Sequence, residues 1–176
     1  MVPLDVTDDA SVAGCAAYIQ GEGGLDGLVN NAGGGAPASF DGYESHVATL
    51  KLNFWGTVKV SEACLPLLSD GGRIVMISSG SAPSFVAKCS AEKQALLCNP
   101  LVTMDQIKGV LDECEAIAKA APDTEAAEAA FVAAGYGSNS YGLSKAVLNS
   151  YAHVPRNLPR SQTNPAHSER IRPRLL

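Results

Sequence analysis

A chain of 176 residues with 46% hydrophobic and 18% charged side chains has the size and composition of one globular α/β domain. A formal net charge of −5 argues against a nucleic-acid-binding surface, because phosphate contacts need clustered Lys and Arg. The five cysteines include no Cys-x-x-Cys pair and no His-rich partner segment, so neither a metal site nor a disulfide framework is expected. No stretch approaches the ~18 apolar residues of a membrane span, and Met1-Val-Pro-Leu-Asp5 lacks a basic region followed by an apolar run. A soluble, cytoplasmic protein with reduced thiols is the expectation.

In chain order, a short extended piece at Val2 to Asp5 precedes Thr7-Asp8-Asp9, which supplies a cap and N-terminal acids for a helix to about Gln20. Val12, Ala16 and Ile19 form its apolar stripe. Leu25 to Val29 reads as a short buried strand ending in Asn30-Asn31-Ala32-Gly33. A long helix is predicted from about Tyr43 to Leu68, with Val47, Leu50, Phe54 and Val58 on one face and Gly71-Gly72 as its stop. Arg73 to Ser78 is a β-rich apolar run of the kind found in a central parallel strand.

Strand and helix alternating in this order predict a parallel sheet with covering helices. In such sheets ligands sit at the carboxyl ends of strands, where both Asn30-Asn31 and Ser78-Ser79 fall. Residues 80–140 then form a helical insert. Thr103-Met-Asp-Gln106 has the pattern of a capping box, with Ile107, Val110, Leu111, Cys114 and Ile117 at helical spacing, and an Ala-rich acidic helix is predicted from Thr124 to Ala134. The insert either covers the site as a solvated layer or shapes a substrate cleft. From Pro155 the character changes: the stretch 155–176 holds five Arg against Glu169, a net +4 that leaves −9 for residues 1–154. It reads as a disordered or non-native tail, or else as a basic segment for an acidic partner.

The chemistry concentrates at Tyr141-Gly-Leu-Ser-Lys145, where a phenol and an ammonium four residues apart share one helix face. A free phenol titrates near pH ~10 and exchanges protons poorly at neutral pH unless a neighbouring cation stabilises the phenolate. Lys145 is placed to be that cation. Standing alone, the pair would be an exposed Tyr and Lys on a surface helix.

With Asp5-Val-Thr, Asn30-Asn-Ala-Gly33, Asn53-Phe-Trp-Gly56, Gly72-Arg-Ile-Val-Met-Ile-Ser-Ser79 and Tyr141-x-x-x-Lys145 in this order, the chain resembles the short-chain dehydrogenase/reductase family over roughly residues 1–154. The insert is similar to that of the monomeric carbonyl reductases and the plant menthone and salutaridine reductase subgroup. The resemblance implies a Rossmann-like doubly wound parallel sheet and a monomer. It also implies NADPH-dependent reduction of a small ketone or aldehyde, reversible as alcohol oxidation, with NADH left open as cofactor. Tyr141 would be the general acid and Ser79 would hydrogen-bond the same carbonyl oxygen. Lys145 would tune Tyr141 and hold the nicotinamide ribose, and Asn53 would support Lys145 through a water. Asp5, with Val6 beside it, would meet the adenine, and the backbone of Asn31, Ala32 and Gly33 the adenine ribose.

The family pattern also contains a first strand and a Gly-rich turn that holds the pyrophosphate on a helix N-terminus. Neither Gly21-Glu-Gly-Gly24 nor Gly33-Gly-Gly35 sits between a strand and a promptly following helix. The residues that set NADPH against NADH and the Pro-Gly segment after the Tyr helix are not recognisable either. A truncated reductase lacking its first βαβ unit and C-terminal strands is therefore the expectation. The alternative is a non-catalytic or regulatory relation of the family that does not hold cofactor. Ser90-Ala-Glu-Lys93 matches a Ser-x-x-Lys hydrolase pattern, but without its partner motifs.

Overall fold

The computed structural model describes residues 1–154, which form two compact units: 1–31 with 56–77, and 32–55 with 78–154. The sequence reading of 155–176 lies outside the described residues.

In the first unit, α1 (Asp9–Gly21) starts where Asp8 accepts a hydrogen bond from the Ala10 N–H. It packs with α3 (Gly56–Cys64) over a core of Val12, Val60 and Cys64, against which Val6, Ile19, Leu25 and Leu28 close. Gly56 permits this approach, since a Cβ there would lie 2.8 Å from the Val6 Cγ2. Strands β1 (Leu25–Asn30) and β2 (Leu68–Met76) pair in parallel, Val29 opposite Val75 and Asn30 opposite Met76. Residues Val2 to Asp5, expected to be extended, join no strand.

Three expectations change in this unit. The long helix ends at Cys64 and a 3-10 turn at Leu65–Leu67, because Pro66 cannot donate to a continuing α-helix. Gly71-Gly72 is consequently not its stop. The two glycines lie inside β2, in an irregularity where the partner of β1 jumps from Leu68 to Arg73, and Gly71 takes φ +77°. Finally, among the described residues neither strand is central or covered on both faces. The helices pack on the Leu28 side, while Val29, Val75 and Ile77 are 60%, 46% and 41% exposed.

The second unit is built around α8 (Ser140–His153), in which Gly142 to Leu148, Ser150 and Tyr151 are buried. Asn139 caps it, accepting from the Gly142 N–H at 2.5 Å. Packed on α8 are α2 (Gly42–Leu50), α4 (Ser81–Val86), α5 (Ala91–Leu97) and α6 (Met104–Ala120). Helix α7 (Thr124–Ala133) packs on α2 and α6. The capping box at Thr103 and Gln106 forms with both of its hydrogen bonds. Helices α4 and α5 lack the long apolar period that marks α6.

Ser90 is the N-cap of α5 and accepts from the Lys93 N–H, which accounts for the Ser-x-x-Lys spacing as helix capping. The Lys93 ammonium turns instead to Glu113, 2.6 Å away, and lies 4.5 Å over the Tyr136 ring, whose hydroxyl donates to the same carboxylate at 2.5 Å. A further departure concerns α2. Val47 is exposed, and His46, Thr49 and Leu50 face inward. The α-helical ladder then gives way to a π-helical segment at Lys51–Trp55, with Asn53 and Phe54 fully buried. An α-period carried from Val47 through Val58 cannot survive that change of pitch.

Candidate active site

Asn53 explains the π segment. Its Oδ1 accepts from the Gly34 N–H at 2.8 Å, and its Nδ2 donates to the Gly34 carbonyl at 2.9 Å and the Ser144 hydroxyl at 3.0 Å. Ser144 in turn donates to the Tyr141 carbonyl at 2.8 Å. An amide that is an acceptor on one side and a donor on the other can satisfy a backbone N–H and C=O together. The loop after Ala32 is thus clamped to the first turn of α8, with every partner inside the second unit.

Lys145 lies one turn after Tyr141 and is 5% exposed. Burial lowers its pKa from the usual lysine value by disfavouring the charged form. Gly33 sits against both groups: a Cβ there would lie 2.7 Å from Asn53 Oδ1 and 3.2 Å from Lys145 Nζ. A side chain at this position would collide with the Asn53 carboxamide.

Ser79 accepts from the Ser81 N–H at 3.1 Å as the chain turns into α4. It lines a cleft of about 380 Å³ with Ser84, Lys88, Ser138 and Asn139. Tyr141 is half-buried and lines a second cleft of about 210 Å³, to which Gly35, Thr49, Glu128 and Ser140 contribute. Asn139, the cap of α8, borders both clefts. Gly137 and Gly142 hold α4 against the start of α8, their Cβ positions lying 2.6 and 2.9 Å from Phe85 side-chain atoms.

The structure therefore places Gly33 against Asn53 and Lys145, links Asn53 through Ser144 to the Tyr141 backbone carbonyl, and puts Ser79 on a cleft that shares Asn139 with the cleft lined by Tyr141. The other expected site residues divide between the units: Asp5, Val6 and Asn31 belong to the first, Ala32 to the second. Asp5 is exposed, its Oδ1 accepting from the Thr7 N–H and hydroxyl at 2.8 Å each. Among the described residues no cluster of His, Cys, Asp and Glu could hold a metal ion. The cysteines at 15, 64, 89, 98 and 114 are unpaired. No helix of the described residues is long and apolar enough to cross a membrane.

Three contributors were not anticipated. Ser144 stands at the third position after Tyr141, where a helix brings hydroxyl and carbonyl together, so its spacing was a usable signal. Gly34 acts only through its backbone and leaves no such trace. His46 is 1% exposed, and its Nδ1 lies 2.9 Å from the Ser140 hydroxyl at the residue before Tyr141. Its Nε2 is buried without a partner, and burial pushes its pKa down to about 4 against the opposing pull of Glu115.

The family model for short chain dehydrogenase matches residues 1–96. Human carbonyl reductase (NADPH) 1 (Homo sapiens) is 32% identical over 146 residues, covering 81% of this chain and 50% of that protein. Short-chain dehydrogenase/reductase 1 of Saponaria officinalis is 34% identical over 178 residues, covering 86% of this chain and 56% of its own length. Among solved structures, salutaridine reductase from Papaver somniferum aligns with a TM-score of 0.67 at 28% identity, covering 85% of this chain and 61% of that one. The chain spans about half the length of the curated relatives it matches. From the family match over its first half and the likeness of its α/β parallel-sheet fold to that reductase, the chain belongs to the short-chain dehydrogenase family.

Proposed function

We propose that the chain carries the catalytic residues of an oxidoreductase that reduces a small ketone or aldehyde to an alcohol with NADPH, reversibly. The observation that carries this reading is the clamp in which Asn53 ties Gly34 to Ser144 between Tyr141 and Lys145. An accidental Tyr-x-x-x-Lys has no reason to be served by a buried amide and a distorted helix. The relatives support the cofactor class, since several are named as NADPH-dependent carbonyl reductases.

In this reading Tyr141 donates its phenolic proton to the carbonyl oxygen as negative charge develops there. Ser79 donates a second hydrogen bond to that oxygen from the neighbouring cleft. Lys145, held in a dry setting, stabilises the phenolate left behind and offers N–H donors to ribose hydroxyls. Asn53 fixes the loop and α8 so that these groups keep their spacing, alongside its expected support of Lys145 through a water. NADPH, when bound, supplies the hydride. Tyr141 and Lys145 are assigned to the nicotinamide and its ribose, with Asp5, Val6 and the backbone of Asn31, Ala32 and Gly33 assigned to the adenosine end. Among the described residues no Gly-rich turn joins a strand directly to a helix to hold the pyrophosphate.

Fluorescence titration of the chain with NADPH and NADH, followed by carbonyl-dependent oxidation of whichever binds, tests the proposal. Tyr141→Phe is expected to abolish turnover while leaving cofactor affinity intact. Turnover retained in that variant would refute the role of Tyr141. A folded chain that binds neither nucleotide would favour the alternative of a non-catalytic family member.

A further inference from the structure

The cleft lined by Tyr141 has a wall contributed by the helical insert. Helix α7 presents Thr124, Ala127, Glu128 and Phe131 to it, at the intervals of three and four that define one helix face. Of all the residues lining this cleft, Glu128 alone carries a formal charge at neutral pH. It is half-buried, and among the described residues no hydrogen bond or ion pair engages its carboxylate. A carboxylate partly withdrawn from water and left unpaired gains by meeting a cation. The wider field has the same sign, residues 1–154 carrying a net −9, which draws cations and repels anions before contact. Lys88, the charged group of the neighbouring cleft, is exposed and so more strongly screened.

We propose that Glu128 is a specificity-determining residue, selecting carbonyl substrates that carry a protonated amine. The inference rests on the reading of Tyr141 as the acid at the reacting carbonyl. The amine would lie against α7, with Ala127 and Phe131 supplying an apolar wall for its carbon skeleton. The oxygen would point to the first turn of α8. The insert thereby shapes the substrate cleft as well as covering it.

The test compares two ring ketones of the same shape, the aminoketone N-methylpiperidone and its all-carbon isostere methylcyclohexanone, titrated into the 176-residue chain by NMR. The chain is expected to bind the aminoketone about fivefold more tightly, the size of one partly screened ion pair. Glu128→Gln removes the preference, and Glu125→Gln, a charge change at an exposed position of the same helix, keeps it. Should Glu128→Gln fold poorly, the unsubstituted chain still decides, because its preference must shrink as salt rises from about 0.05 to about 0.5 M. Equal affinities for the two ketones, a preference indifferent to both salt and Glu128→Gln, or no saturable binding of either would overturn the inference. The readout needs no nucleotide. An amine preference without turnover counts only against the reductase reading, whereas turnover of both ketones without preference counts only against Glu128.

Discussion

His46 makes the stability of the α8-centred unit depend on pH between about 6.5 and about 4. The imidazole is 1% exposed, bonded through Nδ1 to Ser140, stacked at a tilt 5.6 Å from Phe131, and unpartnered at Nε2. Protonation would place N–H donors on both nitrogens while one of them faces no acceptor, so the folded state holds the ring neutral. Its pKa falls from 6.5 to about 4. Because the unfolded chain then binds the proton more readily, stability is complete above about pH 6.5 and declines as pH falls towards 4. The whole shift corresponds to about 3 kcal/mol at ~1.36 kcal/mol per pKa unit, of which about 2 kcal/mol is lost between about pH 7 and about pH 5. The carboxylates with depressed pKa values, Asp41 and Glu113, act below that range. Urea unfolding followed through Trp55 fluorescence at several pH values measures the slope. His46→Leu keeps most of the volume and removes the titration, so its stability should be flat from about pH 7 to about pH 5. An equal slope in the Leu variant would refute the reasoning.

Other substitutions probe the clamp and the insert. Asn53→Ala strands the Gly34 backbone groups and the Ser144 hydroxyl, at a loss of about 2–4 kcal/mol in chemical denaturation. Gly33→Ala drives a methyl into the Asn53 carboxamide, and a loss of about 1–3 kcal/mol should accompany any fall in nucleotide affinity. Unchanged stability would mean that the loop can yield. Tyr136→Phe retains packing but removes the hydroxyl donor to Glu113, which should lower stability by about 1 kcal/mol and raise the Glu113 pKa, readable by carboxyl NMR titration.

What the sequence disclosed was what local spacing controls. The Thr103 capping box, the inward face of α8 at Leu143, Ala146, Val147 and Tyr151, and the Tyr141–Lys145 pair all follow from intervals of three and four residues. The π segment was not readable, because Asn53 is pulled out of the α-pattern by a backbone nineteen positions away. Val47 was misplaced with it, and His46 went unremarked because a polar residue on an otherwise ordinary helix gives no sign of burial. The exposure of Val29 and Val75 escaped for a different reason: an apolar strand announces that it would prefer cover, not that cover is present.

The two-stranded sheet carries a consequence for handling the protein. Each strand of β1 and β2 has a neighbour on one side alone among the described residues, and Val29, Val75 and Ile77 lie bare on the face beside those open edges. Unpaired amides next to exposed β-branched side chains are a template for further strands. The parallel pairing also joins segments some forty residues apart, so it closes late in folding and leaves those edges open for longer. Recovery of soluble material should therefore fall with concentration and growth temperature, and mild denaturant or dilute refolding should improve it more than a change of salt.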